Sequence, residues 1–433
     1  MIILAIETSC DDTSIALIQT PAPSGRGSFN FIERREKERV SFNILSNVIS
    51  SQTEIHKKWG GVYPALAKRE HQRNLIPVLE KALKKARELK MENFTLRNAQ
   101  GDTERNRSVK LQIEEKQLRI LRKILKREPE LLDNFLNFIP KIKNPKIEAI
   151  ALTVGPGLEP CLWAGVNFAK ALAYFWQIPI IPVNHIEAHI FANFIDKFET
   201  PAFAKDSAGK QNLKIKTLFP AVCLVVSGGH TQLILMKDIG NYKILGETQD
   251  DAAGECLDKV ARILGLEYPG GPVIEDKSSE FKIKNMESKI KLPRPMIHSK
   301  DYNFSFSGLK TAVLYDFRKR SLKVRKNKDY ILQICAEAQQ SVIDVLIRKT
   351  VRVLKSYRIK SVILGGGVIA NNELRKQFRE KIKKEFPTVK LYIPDPKFCT
   401  DNAAMVAVVS FFHRKEKKDW KKIKARADLR ISK

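Results

Sequence analysis

The stretch that decides the fold is Ile2-Ile3-Leu4-Ala5-Ile6, then Glu7-Thr8-Ser9-Cys10-Asp11-Asp12-Thr13, then Ser14-Ile15-Ala16-Leu17-Ile18. Both apolar runs have the length of a buried strand. The small, polar residues between them read as a turn. The plan returns much later in the chain. Ala221 to Val226 is apolar, Ser227-Gly228-Gly229-His230-Thr231 is the turn, and Leu233-Ile234-Leu235-Met236 is the return strand. Identity between the halves is low, but strand, polar turn and strand recur in order. Such turns expose backbone N–H groups and hydroxyls that can wrap phosphate oxygens. Either turn alone reads as a structural hairpin. Two of them, each opening a half of the chain, predict a duplicated, nucleotide-clamping α/β architecture.

Working outward, the pattern stays α/β. Ala149 to Val154 is a buried strand, Gly155-Pro156-Gly157-Leu158 a tight turn, and Gly165 to Trp176 a helix. Ile178 to Val183 is a further strand. Ser361-Val362-Ile363-Leu364 runs into Gly365-Gly366-Gly367, where glycines let a flat ring or a phosphate approach the backbone. A helix opens across Val368 to Arg375. Three stretches read as surface insertions: Pro21 to Arg39, Leu89 to Asn144 and Thr200 to Lys216. Within the second, Gln117 to Arg127 is amphipathic, with five basic residues and no acid.

After the strand Ile178 to Val183 comes Asn184-His185-Ile186-Glu187-Ala188-His189, opening the apolar run Ile190 to Ile195. On a helix, residues i and i+4 share a face, so both imidazoles can reach one metal. An isolated pair also reads as two helix histidines at a core edge. The position of Glu187 limits the chemistry. A metalloprotease helix reads H-E-x-x-H. Here Glu187 lies two steps after His185, about 200° around the helix, away from the face the histidines share.

The chain has 433 residues, of which 43% are hydrophobic and 29% charged. That supports two lobes, each with its own core. No stretch is long and apolar enough to span a bilayer, and the N-terminus lacks the basic region of a signal peptide. Six scattered cysteines form no C-x-x-C pair, so neither a zinc knuckle nor a disulfide framework is indicated, and a reducing cytosol fits best. Lys plus Arg is 77 against 48 Asp plus Glu, a net charge of +29 that favours a polyanionic partner. Phe317 to Lys328 holds seven basic residues without an acid, and the twenty residues from Arg414 hold ten basic and three acidic.

Taken together these blocks resemble the universal tRNA adenosine threonylcarbamoyltransferase family, formerly labelled O-sialoglycoprotein endopeptidases. The resemblance rests on Ile6 to Thr13, Gly60-Gly61-Val62-Tyr63-Pro64 with Arg69-Glu70-His71, Gly155 to Leu158, and the His helix. It continues through Val226 to Thr231, Gly254 to Lys259, Tyr268 to Pro272, Phe304 to Lys310, Gly366 to Asn371, and Cys399-Thr400-Asp401-Asn402. The insertions fall between the blocks. Ala188 stands where many members have Gly, and Trp59 where Tyr or Phe is more usual.

The resemblance implies the two-lobed fold of actin, heat-shock chaperone ATPases and sugar kinases, in agreement with the duplicated hairpins. The expected lobes are residues 1–216 and 217–400, with residues 401–433 packing back on the first as a helix and basic tail. It implies that His185, His189 and Asp401 hold one divalent metal, Fe(II) ahead of Zn(II). It places Val226, Ser227, Gly228, Gly229, His230, Asp258, Gly271 and Asn371 at the substrate. For Asp258, Gly271 and Asn371 the alternatives are a helix carboxylate, a turn glycine and a helix N-cap. The Ser305 to Lys310 block is read as a structural loop. The implied reaction transfers threonylcarbamoyl from its adenylate to the exocyclic amine of the adenosine next to the anticodon, in tRNAs reading codons that begin with A. AMP leaves, and Asp11 or Asp12 takes the amine proton. The implied partners are tRNA, a shorter paralogous subunit and a small ATPase, in the cytoplasm and away from membranes. A kinase on the same fold is disfavoured because imidazole is a poor ligand for Mg(II). The intact metal residues argue against a non-catalytic paralogue.

Overall fold

The computed structural model describes residues 1–20, 42–88, 113–142, 145–195, 215–285 and 287–432. The chain divides into two compact units. One comprises Met1–Gln52, Tyr63–Asn212 and Asp401–Arg430; the other comprises Thr53–Val62, Leu213–Thr400 and Ile431–Lys433.

The first unit is built on β1 (Ile2–Glu7), β2 (Asp12–Gln19), β3 (Asn43–Ser51), β4 (Ile147–Gly155) and β5 (Ile180–Asn184). Their order in the sheet is β3-β2-β1-β4-β5. The opening hairpin is antiparallel, with Ile2 opposite Gln19 and Glu7 opposite Ser14. β1, β4 and β5 then run parallel. Every residue of β1 is buried, so its apolar run is unbroken rather than alternating. Parallel neighbours need a crossover, and helix Glu159–Trp176 supplies the one from β4 to β5.

The second unit repeats the plan with β6 (Ala221–Val226), β7 (Thr231–Asp238), β8 (Asn241–Glu247), β9 (Ser361–Gly365) and β10 (Lys390–Tyr392). The order is β10-β9-β6-β7-β8, again a hairpin extended by a third antiparallel strand on one side and parallel strands on the other. The duplicated strand–turn–strand expectation is therefore met, and the fold is α/β. Its buried core includes helices Ala253–Ile263 and Lys328–Ser356. All six cysteines are free thiols. No helix among the described residues is long and apolar enough to cross a membrane.

One expectation is corrected. The stretch from Leu89 to Asn144 is not all surface decoration. Its described part forms helices Glu115–Ile124 and Pro129–Phe138, and Leu121, Leu125, Leu131, Phe135 and Ile139 are fully buried in the core of the first unit. The error came from the charge of the segment, which hides a sparse apolar stripe. The Pro21 to Arg39 insertion and most of Thr200 to Lys216 lie outside the described residues.

Candidate metal centre

β5 leads straight into the helix His185–Phe191. Asn184 caps it: its side-chain oxygen accepts the N–H groups of Ile186 at 2.9 Å and Glu187 at 3.2 Å. All seven helix residues are buried. Asp401 just precedes helix Ala403–Phe412, which packs against the His helix and against β1 and β2. That helix is fixed at its start by two bonds. Asn402 Oδ1 accepts from Met405 N, and Ala403 N donates to Ser14 Oγ on β2.

These elements bring together His185, His189 and Asp401, each offering a ligand atom within 4.8 Å of the others. Asp401 Oδ1 lies 3.2 Å from His189 Nε2 and 3.6 Å from His185 Nε2. The two rings meet edge to face, with centroids 4.6 Å apart. Both ring nitrogens of His189 are buried without an aligned hydrogen-bond partner among the described residues. Burying such groups unmatched is costly, and a cation is the partner that would satisfy an imidazole lone pair here. The donor set of two imidazoles and a carboxylate thus fits a transition-metal ion.

Behind the triad stands Glu7, the last residue of β1 and fully buried. Its Oε2 lies 3.2 Å from His185 Nδ1 and accepts the Thr153 hydroxyl at 2.7 Å, while Oε1 accepts Ser9 N at 2.6 Å. Ser9 Oγ also lies 3.1 Å from His185 Nδ1. A carboxylate at Nδ1 fixes the tautomer that leaves Nε2 as the ligand atom. Burial lowers the His185 imidazole, but Asp401 and Glu7 outweigh it and hold it up at about 9. Burial and the neighbouring His185 push His189 down. Glu187 faces elsewhere, with its Oε1 2.9 Å from His413 Nε2.

The turn between β1 and β2 is held from both sides. His71 Nε2 donates to the Cys10 carbonyl at 2.9 Å, and its Nδ1 lies 2.8 Å from Thr13 Oγ1. The Ser9 carbonyl accepts Leu158 N at 2.8 Å. The neighbouring Gly157 has φ +155°, and a Cβ there would stand 2.5 Å from the Ser9 carbonyl oxygen, so this turn requires glycine. Asp12 opens β2 with Oδ1 buried and unbonded among the described residues. Burial, helped by the charges of Asp401, Asp11 and Glu7, raises its carboxyl to about 7 against a hydrogen bond from Ser51.

In the second unit, Val226 ends β6 and the Ser227 to His230 turn closes on itself. Ser227 N donates to the His230 carbonyl at 2.8 Å, and His230 N to Ser227 Oγ at 3.1 Å. At Gly228, Gly229, Gly271 and Gly367 an added Cβ would meet nothing within 4 Å, so these backbones border open space. Asp258 Oδ1 accepts Gly270 N at 2.7 Å, at the start of helix Gly270–Ile283. Asn371 caps helix Asn372–Glu385 through Leu374 N at 2.9 Å and donates to Gln339 Oε1 at 2.8 Å. The Ser305 to Lys310 block, expected as a structural loop, instead leads into a helix: Ser305 and Phe306 form the approach and Ser307 opens helix Ser307–Lys319. Asp250 accepts both hydroxyls of Ser305 and Ser307 at 2.6 Å and the backbone of Phe306 at 2.8 Å. Burial raises the Asp250 carboxyl, but these bonds outweigh it and hold it below the ordinary value.

Sequence reading passed over Glu7 as a site residue. Its signal was there: an acid ending an otherwise apolar strand is buried only when something pairs with it.

The family model described as tRNA N6-adenosine threonylcarbamoyltransferase matches residues 43–95 and 122–408. A relative of that name from Persephonella marina is 39% identical over 419 residues, covering 96% of this chain and 91% of its own. One from Geobacillus kaustophilus is 38% identical, covering 94% and 90%. Among solved structures, full-length HypF in its phosphate- and nucleotide-bound form is similar with a TM-score of 0.44 and 14% identity, over 67% of this chain and 43% of that one. YeaZ from Pseudomonas aeruginosa has a TM-score of 0.25 and 12% identity, over 57% and 67%.

Proposed function

The chain belongs to the tRNA N6-adenosine threonylcarbamoyltransferase family, and on that premise we propose the reaction in detail. The threonylcarbamoyl group passes from threonylcarbamoyl-adenylate to the exocyclic amine of the adenosine next to the anticodon, in tRNAs reading codons that begin with A. AMP is released. The observation that carries this reading is the buried cluster of His185, His189 and Asp401 with Glu7 behind it. A kinase acting through Mg(II) has no use for two buried imidazoles at its metal.

His185 Nε2, His189 Nε2 and an Asp401 oxygen would hold one divalent ion, Fe(II) ahead of Zn(II). When bound, it supplies Lewis-acid polarisation of the donor's carbonyl or phosphate oxygens. The chain's own groups do the rest. Glu7 orients His185. The Val226 to His230 turn offers backbone N–H groups to the adenylate phosphate, its Gly228 and Gly229 bare toward open space. Asp258 accepts from the ribose hydroxyls, and Gly271 lets the nucleotide approach. Asn371, its amide held between Leu374 and Gln339, fixes the backbone beside the adenine. An aromatic amine is a poor nucleophile, so positioning and stabilisation of the developing oxyanion matter most. Asp12 is the base that takes the amine proton. Its unbonded Oδ1 and its carboxyl, raised to about 7, suit proton transfer near neutrality.

The enzyme works in the cytoplasm with a shorter paralogue and a small ATPase. The sequence carries no Walker A loop of its own, so ATP-driven resetting falls to another chain. The test is nucleoside mass spectrometry of tRNA after incubation with this protein, a donor-generating enzyme and the partners. Appearance of threonylcarbamoyladenosine supports the reading. Unmodified adenosine under those conditions overturns it. Sustained turnover by the isolated chain with donor alone would refute the need for partners.

A further inference from the structure

We propose that the outer face of helix Glu115–Ile124 is a docking stripe for the phosphate backbone of tRNA. Arg119, Arg122 and Lys123 lie on this helix and Lys126 in the turn that ends it, and all four are exposed. Their spacing is i, i+3, i+4 and i+7, which is one helix face. The opposite face is spent. Leu121 and Leu125 are fully buried in the core of the first unit. Leu118 and Ile120 are half-buried at the flanks, and the exposed face between them is cationic.

The stripe is not explained by stability. None of the four cations makes an ion pair among the described residues. Like charges at i, i+3 and i, i+4 repel and weaken a helix. Nor does the helix have a side-chain N-cap to compensate. It is held by its buried leucines and, at its far end, by Lys68, which donates to the Arg127 carbonyl at 3.2 Å and pairs with buried Glu128 at 3.4 Å. A rigid, self-repelling row of guanidinium and ammonium groups is matched by a chain of phosphates. The family match breaks off between residues 95 and 122, so the start of this helix lies outside the shared pattern.

This inference rests on the proposed tRNA reaction for its choice of polyanion. The experiment uses the full chain with Arg119→Gln, Arg122→Gln, Lys123→Gln and Lys126→Gln combined. Affinity for a tRNA transcript is measured by fluorescence anisotropy over a range of salt. Four lost phosphate contacts should lower the slope of log K against log salt by about 3 and weaken binding at least ~10-fold at moderate salt. A second variant, with Arg119→Lys and Arg122→Lys, keeps the charge and should keep the slope. The positions are exposed and the substitutions relieve repulsion, so the melting temperature of the quadruple variant should not fall. A quadruple variant with the wild-type slope overturns the proposal, as does one that keeps tRNA affinity but loses co-purification with a protein partner. Wild-type protein that binds tRNA through this stripe but leaves it unmodified would sink the reaction while sparing the stripe.

Discussion

Glu7 Oε2 lies 3.2 Å from His185 Nδ1, joining the end of the first strand to the start of the metal helix across 178 residues of sequence. Every other bond of this carboxylate is also internal, to Thr153 and to Ser9 N. Glu7→Gln keeps the size but turns an acceptor-only group into one that must aim its NH2 at an existing donor. We expect the variant to fold and to lose metal affinity by ~10–100-fold, the usual cost of losing a carboxylate behind a ligating histidine. Competition with a chelator measures it. Unchanged affinity would mean that Glu7 only fills the core.

The ligand set has a more direct test. The His185→Ala, His189→Ala double variant should bind no stoichiometric metal, and its transfer should fall by at least ~100-fold. Elemental analysis of the purified protein reads the first and nucleoside mass spectrometry the second. Metal content equal to wild type would put the centre elsewhere.

How much of this was legible beforehand follows from which forces write locally. The hairpins were readable because buried strands are continuous apolar runs, as at Ile2 to Ile6 and Ala221 to Val226. The His185 and His189 pair was readable as one helix face because i, i+4 spacing is local. The third strands, β3 and β8, were not. Asn43 to Ser51 and Asn241 to Glu247 are half-buried edges with mixed polarity and no clean period. For Glu7 the sequence signalled a buried acid but not its partners, which sit 146 and 178 positions away. Helix Glu115–Ile124 was misjudged because its four basic residues outnumber its two leucines. Removing residues 95–134, as a test of that segment, would strip Leu121, Leu125 and Leu131 from the core. At ~2–3 kcal/mol for each buried leucine, the first unit would not stay folded.

His413 joins the C-terminal segment to helix His185–Phe191 and gives stability a pH dependence. Burial pulls its imidazole down. Glu187 at 2.9 Å and Glu416 at 2.7 Å outweigh it and hold the group up at about 9. A raised pKa means that the folded state binds the proton more tightly than the unfolded chain. The contribution is fully present below about 6.5, the ordinary histidine value, and is lost as pH rises toward about 9. Wild type should therefore exceed His413→Gln in melting temperature by ~2 °C at pH 6, and the two should converge above pH 9. A constant gap across this range would mean that the contact is steric rather than ionic.

The basic run from Phe317 to Lys328 splits into two groups with different expected behaviour. Arg320 pairs with Asp316 at 2.8 Å and lies over the Tyr330 ring. Arg325 donates to the carbonyls of Arg320 and Arg318 and covers the Phe317 ring. Lys328 pairs with Glu280 at 2.7 Å. These three hold the turn between helices Ser307–Lys319 and Lys328–Ser356. Arg318, Lys319, Lys323 and Lys326 make no ion pair among the described residues and are exposed, beside the exposed Leu322. Replacing this second group by Gln should weaken tRNA binding and flatten its salt dependence, with melting unchanged. Arg325→Ala should instead cost about 1 kcal/mol of stability through the lost ring contact and carbonyl bonds, with less effect on the salt slope. Titrating tRNA into both variants at several salt concentrations separates the roles. If the two variants shift the slope equally, the run acts as one diffuse cationic surface and the division is wrong.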